Sequence, residues 1–501
     1  MSAFLQELRS RSIYKIAAGY IVSAWLLLQI ASTLANALGL PAWTLKVVFA
    51  LLMIGFGGTL AIGWRRDQRQ AQAAKPSVKV HLVIWPAVVL FVVGGLALIF
   101  SVITEIGQSG DARREQLAEK STASSAPGAL VKSVIDLQDG IQIKVGEEQK
   151  LLADKDLGLR DIAGKGIVIW EYRKGRLQFL TGAGKDTYLI DGTDFLHLKT
   201  ALQVLAPGKR GEFDNSEASI GAVIRSTNRV YGFYEGSDKE GDLPTSPQGV
   251  KGMYLSIGLV ESGSDGTWTK KGQIITSNKP KEWADWAGQS IRGAGAPSAV
   301  VDPSGQYVYL YYTAYSGLPA GQAQICLARS LINGGIYPGG WEKFYLGKFG
   351  EPGLGGNETP VVDSYSERAA SMNAHVTFSP KLKKYILTLN LSRESEVREN
   401  LPPEKSGIYV DLSDDGIAWS NPVKIISAYS RRLLGLPISV EPTLVMDSPD
   451  SLTGWLLYST TPKYSLSDYQ GTPLYLVGRR IEFSQSSPRS AADAQVQAKG
   501  S

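Results

Sequence analysis

Hydrophobic positions follow two different patterns along the chain. Within residues 1–105 they form three nearly unbroken apolar stretches, at about 16–38, 45–64 and 80–103. Each reaches the roughly 20 residues that a helix needs to cross a hydrocarbon layer of about 30 Å. Charges are almost absent inside them, and Lys46 lies close enough to an end to snorkel. The pattern predicts three transmembrane helices. The first stretch is too long for a cleaved leader, lacks a small-x-small site and is followed by two more.

From about residue 131 the apolar period shortens to that of strands. Five short runs are close relatives: LQFLTG (177–182), VYGFYEG (230–236), VYLYYTA (308–314), KYILTLN (384–390) and WLLYST (455–460). The last four recur at near-even intervals. A second signal keeps the same beat. Gly266 and Gly416 stand in Ser-Asp-Gly and Asp-Asp-Gly turns followed by Trp268 and Trp419, and Gly192 and Gly340 stand in weaker copies before Phe195 and Trp341. The spacing between successive members of this glycine series is almost constant. A fixed period with about four strands per unit predicts a five-bladed β-propeller over 131–490. The segment 131–145 is expected to close the ring by adding a strand to the last blade. Residues 106–130 read as a linker and 491–501 as a disordered tail.

Charge orients the apolar region. Arg9, Arg11 and Lys15 precede the first stretch, and Arg65, Arg66, Arg69, Lys75 and Lys79 fill the gap before the third. The turn GLPAWT between the first two has no basic residue. The positive-inside rule places the N-terminus in the cytoplasm and everything beyond about residue 105 on the far side. Gly55, Gly57 and Gly58 are candidates for close helix approach.

Composition narrows the chemistry. A net charge of +5 over 501 residues, without a basic cluster on one element, does not point to nucleic acid. The single cysteine, Cys326, excludes an internal disulfide framework and a Cys-cluster metal site. The three histidines, His81, His197 and His375, do not make a zinc triad, because His81 lies at the edge of an apolar stretch. Gly353, Gly355 and Gly356 lack the Lys and following helix of a phosphate loop.

In a propeller the first strands of the blades converge on the axis, so polar residues near their starts meet in one funnel. Those positions are Arg160 and Asp161, Asp214, Asn215 and Glu217, Arg292, Asn373 and His375 with Glu358 upstream, and Glu441. Trp283 and Trp286, just before the third blade, are candidates for an aromatic stacking platform. Asp302-Pro303 reads as a turn after its strand.

Two resemblances add to this. The segment ELRSRSIYKIAAGYIVSAWLLLQIASTLANALGLPAW resembles a membrane module found ahead of various domains in bacterial proteins. It implies a bacterial envelope protein; together with the far-side placement and the lack of a disulfide, the expectation is an inner-membrane protein with its C-terminal domain in the periplasm or outside the cell. The segments GAPSAVVDPSGQYVYLYYT, GEFDNSEASIGAVIRSTNRVYGFYEG and VEPTLV followed by WLLYS resemble the five-bladed propeller glycoside hydrolases of the arabinanase and levanase type, over about 150–485. That resemblance implies three funnel carboxylates acting as acid, base or nucleophile, and pKa modulator. Asp161, Asp214, Glu217, Glu358 and Glu441 are the candidates, with Arg292, Trp283, Trp286, His375 and Asn373 as substrate-binding residues. It implies no cofactor, with room for a central calcium ion. The chain departs from the family pattern in having Asp161-Ile162 where Asp-Pro is usual, and in lacking Glu-Gly-Pro and Arg-Asp-Pro motifs. The expected partners are a glycan and the lipid bilayer. The alternatives are a non-catalytic propeller that binds carbohydrate or protein, and a scaffold whose membrane helices assemble with partners that the propeller docks.

Overall fold

The computed structural model describes isolated positions between 20 and 59 and most of 129–485, leaving out 154–155, 160–165, 174, 227–228, 242, 246–250, 264–265, 284–290, 316–322, 363–368, 394–395, 397–402, 420, 430–437 and 462–474. The chain divides into two compact units, Met1–Lys120 and Ser121–Ser501.

In the first unit, Tyr20 of the first apolar stretch and Leu52 of the second are both helical. The Tyr20 hydroxyl donates to the Leu52 carbonyl at 2.8 Å, and its ring lies 5.4 Å from that of Phe56. A Cβ on Gly55 would collide with the Tyr20 hydroxyl, so glycine is what lets the two stretches approach there. Among the described residues no helix is long and apolar enough to cross a membrane. Gly57, Gly58, the third stretch, most of the first two, residues 106–128 and the tail lie outside the described residues.

Among its described residues the second unit is mainly β-strand, with short 3-10 turns and one helical residue, Glu396. Blade one is β3 (Ile167–Arg173), β4 (Arg176–Ala183), β5 (Asp186–Asp194) and β6 (His197–Leu205). Blade two is β7 (Glu217–Ser226), β8 (Arg229–Asp238), β9 (Met253–Ser262) and β10 (Trp268–Ile275). Blade three is β11 (Ile291–Val301), β12 (Tyr307–Ala314), β13 (Gln324–Leu331), β14 (Trp341–Tyr345) and β15 (Lys348–Pro352). Blade four is β16 (Ala369–Ser379), β17 (Lys384–Arg393), β18 (Gly407–Ser413) and β19 (Val423–Ser427). Blade five takes β20 (Ile438–Met446), β21 (Thr453–Thr461) and β22 (Tyr475–Gln485) from the C-terminus, then β2 (Ile141–Ala153) and β1 (Val134–Asp136) from the start of the unit.

Within each blade consecutive strands pair antiparallel, as alternating apolar runs joined by short turns require. A short parallel pairing of β9 with β11 joins blades two and three into one sheet. The arrangement is propeller-like: residues of β3, β7, β11, β16 and β20 together line a channel of about 420 Å³. Ring closure comes from β2, which pairs antiparallel with β22 from Ile141 to Ala153. The closing strand therefore extends past residue 145. Just before it, Leu130 bridges Ile426 of β19, so the incoming chain touches the outer edges of blades four and five in turn.

The aromatic that follows each Gly turn is the wedge between blades. Phe195 packs 5.9 Å from Trp455 of blade five, Trp268 5.6 Å from Trp170 of blade one, Trp341 5.5 Å from Phe233 of blade two, and Trp419 6.1 Å from Tyr311 of blade three. Each therefore reaches back to the preceding blade as well as packing its own outer strand. Gly266 and Gly416 have the positive φ that a tight turn demands, 80° and 73°. Gly340 ends a 3-10 turn, and Gly192 lies inside β5 at an irregularity in its pairing with β6.

Candidate functional site

Three inner strands carry the same defect. β11 bulges between Gly295 and Ser298, β16 between Met372 and His375, and β20 between Val440 and Thr443. In each bulge one non-glycine residue takes a left-handed conformation: Ala296 (φ 49°), Asn373 (φ 57°) and Glu441 (φ 57°). Such backbone is strained for these residue types and persists only where surroundings hold it. Here the second strand of the preceding blade does so. The N–H of Ala296 donates to Glu235 Oε2 of β8 at 2.9 Å, that of Asn373 to Thr313 Oγ1 of β12 at 3.0 Å, and that of Glu441 to Asn390 Oδ1 of β17 at 3.2 Å. Gly295 has no Cβ because the Glu235 carboxylate lies where one would be.

The bulges aim Ala296, Asn373 and Glu441 into one axial cavity of about 300 Å³. Blade two supplies Glu217, Ser219 and Glu235 to the same cavity, and Tyr315 follows β12 into it. Glu217 forms an ion pair with Lys239, whose side chain is one-third exposed. Three carboxylates thus line one cavity from β7, β8 and β20, with Glu217 and Glu441 brought together from blades two and five. Such a set can accept hydrogen bonds from hydroxyl groups and can move protons at a reacting oxygen.

The candidates from the sequence separate clearly. Glu217, Glu441 and Asn373 line the cavity. Asp161 and Trp286 lie outside the described residues, as does the side chain of Trp283, which ends a 3-10 turn at Lys281–Trp283. Arg292 does not line the cavity. It is buried beside Ile291, which does, because neighbouring residues of a strand point to opposite faces.

Asp214 is not a cavity residue either. It is 1% exposed, lies 2.5 Å from Lys270 Nζ and accepts from the Tyr234 hydroxyl at 3.0 Å. Glu358 is held by the fully buried Lys343, whose ammonium also donates to the Thr276 and Gly356 carbonyls. Both acids are buried against a lysine and do not line the cavity. His375 lines the 420 Å³ channel instead of the 300 Å³ cavity, and its Nδ1 accepts from the Leu444 N–H at 3.3 Å. Burial pushes its pKa down to about 4, so it is a neutral imidazole that ties blade four to blade five. Among the described residues no group of three His, Cys, Asp or Glu side chains could hold a metal ion.

Glu235, Ser219 and Tyr315 were not among the sequence candidates. A signal for Glu235 was present: it stands in VYGFYEG, where the related runs have Thr313 and Asn390 in the corresponding role.

No protein-family model matches the chain, and no curated protein matches it. Solved structures do. The catalytic domain of a GH62 α-L-arabinofuranosidase from Coprinopsis cinerea is 11% identical with a TM-score of 0.41, covering 66% of this chain and 95% of that one. A thermostable family-43 glycoside hydrolase is 13% identical with a TM-score of 0.39, covering 66% and 95%. A family 117 glycoside hydrolase from the marine bacterium Zobellia galactanivorans is 13% identical with a TM-score of 0.39, covering 71% and 88%. Likeness at this level assigns no chemistry to the chain.

Proposed function

We propose that this chain is a membrane-tethered glycoside hydrolase that cleaves a glycan in its axial cavity by carboxylate acid–base chemistry. The observation that carries the reading is the convergence of Glu217, Glu235 and Glu441 on one cavity. Cleavage of a glycosidic bond needs one carboxyl group to protonate the leaving oxygen and a second to act as base or nucleophile. The internal repeat supports a functional role for Glu235. Thr313 and Asn390 hold the corresponding backbone N–H groups with neutral side chains, so this task does not require a carboxylate. The cavity volume of about 300 Å³ lies at the lower end of the usual range for small-molecule sites.

Tethering rests on the three apolar stretches and on the basic residues flanking them, which would put the propeller on the periplasmic side of a bacterial inner membrane. A second reading, glycan binding without cleavage, is favoured by the bulges. Of the three equivalent left-handed positions only Glu441 is ionisable, while Ala296 and Asn373 are not.

The test is a set of single substitutions, E217Q, E235Q and E441Q, in the full chain purified in detergent. Each is screened for release of reducing sugar from envelope and plant-type oligosaccharides. At least two of the three should lose about 100-fold or more in kcat/KM while melting as the parent does. Oligosaccharides that raise the melting temperature of the parent without being cleaved would establish the binding-only reading.

A further inference from the structure

We infer that Ser219 is a ligand-contacting residue that reads a hydroxyl group of a neutral sugar, an assignment that rests on the glycan reading of the cavity. Ser219 lies in β7, lines the cavity and is only 4% exposed. Its hydroxyl has no hydrogen-bond partner among the described residues. A buried hydroxyl left without a partner is costly, and the great majority of such groups in folded proteins are satisfied.

The repeat shows that the fold does not ask for a hydroxyl here. In register, Ser219 lies opposite Glu235, the residue that holds the next blade's bulge. Opposite the equivalent Thr313 stands Gly295, and opposite Asn390 stands Met372. Two blades thus manage without a polar side chain at this place.

The neighbours define the ligand. Glu217, two residues earlier, shares the face of β7, and Glu235 faces Ser219 across the strand pair. A carboxylate only accepts hydrogen bonds, whereas a serine hydroxyl donates and accepts. Adjacent hydroxyls of a neutral sugar match this alternation. An anionic sugar would meet the carboxylates of Glu217, Glu235 and Glu441 in the same cavity.

The experiment melts the full-length chain and its S219A variant, alone and with neutral methyl pentosides and hexosides, the corresponding methyl uronates, and monodeoxy derivatives of the best ligand. Without ligand, S219A should melt about 1–2 °C higher, because a buried unpaired hydroxyl has gone. Its affinity for the best neutral glycoside should fall about tenfold. The derivative that lacks the hydroxyl in question should bind parent and variant equally. S237A is the control: Ser237 is also buried with a partnerless hydroxyl among the described residues, but does not line the cavity. It should melt higher and bind as the parent does.

A lower melting temperature for S219A, or unchanged glycoside affinity, would overturn the assignment while leaving the glycan reading intact. Binding of uronates in preference to neutral glycosides would overturn the neutral-sugar part. If no sugar in the panel shifts the parent, the glycan reading falls and this assignment falls with it.

Discussion

Asn390 spans the bulge that carries Glu441. Its amide donates to the Ser439 carbonyl at 3.0 Å on one side, and its carbonyl accepts from the Glu441 N–H at 3.2 Å on the other. Asn390 is fully buried on β17 of blade four, while Glu441 belongs to β20 of blade five. A left-handed glutamate in the cavity is therefore positioned by a neighbouring blade and not by its own strand.

Replacing Asn390 with Ala removes both bonds and leaves two backbone groups of the bulge unsatisfied. We expect N390A to lose about 2–4 kcal/mol of stability in denaturant unfolding. Any activity that depends on Glu441 should fall together with it. Unchanged unfolding would mean that β20 holds its bulge unaided.

The Lys343–Glu358 pair should matter to the fold and not to the ligand. E358Q leaves a fully buried ammonium without its counter-charge, so about 3–5 kcal/mol of stability should be lost. The sugar preference of the remaining folded protein should be that of the parent. D214N should cost less, because the Lys270 ammonium it leaves behind is 28% exposed and can be hydrated.

His375 supplies a pH dependence of known sign. Its folded-state pKa is held down to about 4 by burial, against about 6.5 in an unfolded chain. As pH falls through that window the unfolded state takes up a proton that the folded state refuses, so stability declines from about pH 6.5 and levels off near 4. The span corresponds to about 3 kcal/mol. Burial pushes Asp411 up to about 6, and this group acts in the opposite direction, favouring the fold at low pH and losing that effect as pH rises through 6. Comparing the parent with H375N isolates the histidine. Asn keeps an acceptor for the Leu444 N–H but does not titrate, so the stability of the parent relative to H375N should fall between pH 6.5 and 4.

Topology can be read with reporter fusions. A periplasm-dependent alkaline phosphatase joined after residue 130 should be active in a bacterial host, and one joined within 65–79 should be inactive. The reverse pattern would overturn the orientation drawn from the basic residues.

Much of the ring was legible in the residues themselves. The strand runs that contain Phe233, Tyr311 and Leu387 recur at a near-constant spacing, and Gly266, Gly340 and Gly416 mark the joint between third and fourth strands of their blades. Strand alternation and positive-φ turns are local physics, so a linear reading finds them. Glu217 and Glu441 stood out for the same reason, as acids near the starts of inner strands.

Asp214 and Glu358 look no different in the sequence. Only their partners, Lys270 on β10 and Lys343 on β14, set them apart, and nothing in the linear order pairs them. Glu235 was hidden in the opposite way, inside a strand that reads as core.

The chain's own order of residues thus determined that similar strand runs would recur and where each would turn, because those choices depend on neighbours a few positions apart. Which acids face the axis and which are buried against a lysine was decided by the closed ring. Burial, counter-charge and a bulge held from the next blade exist only once distant strands have met.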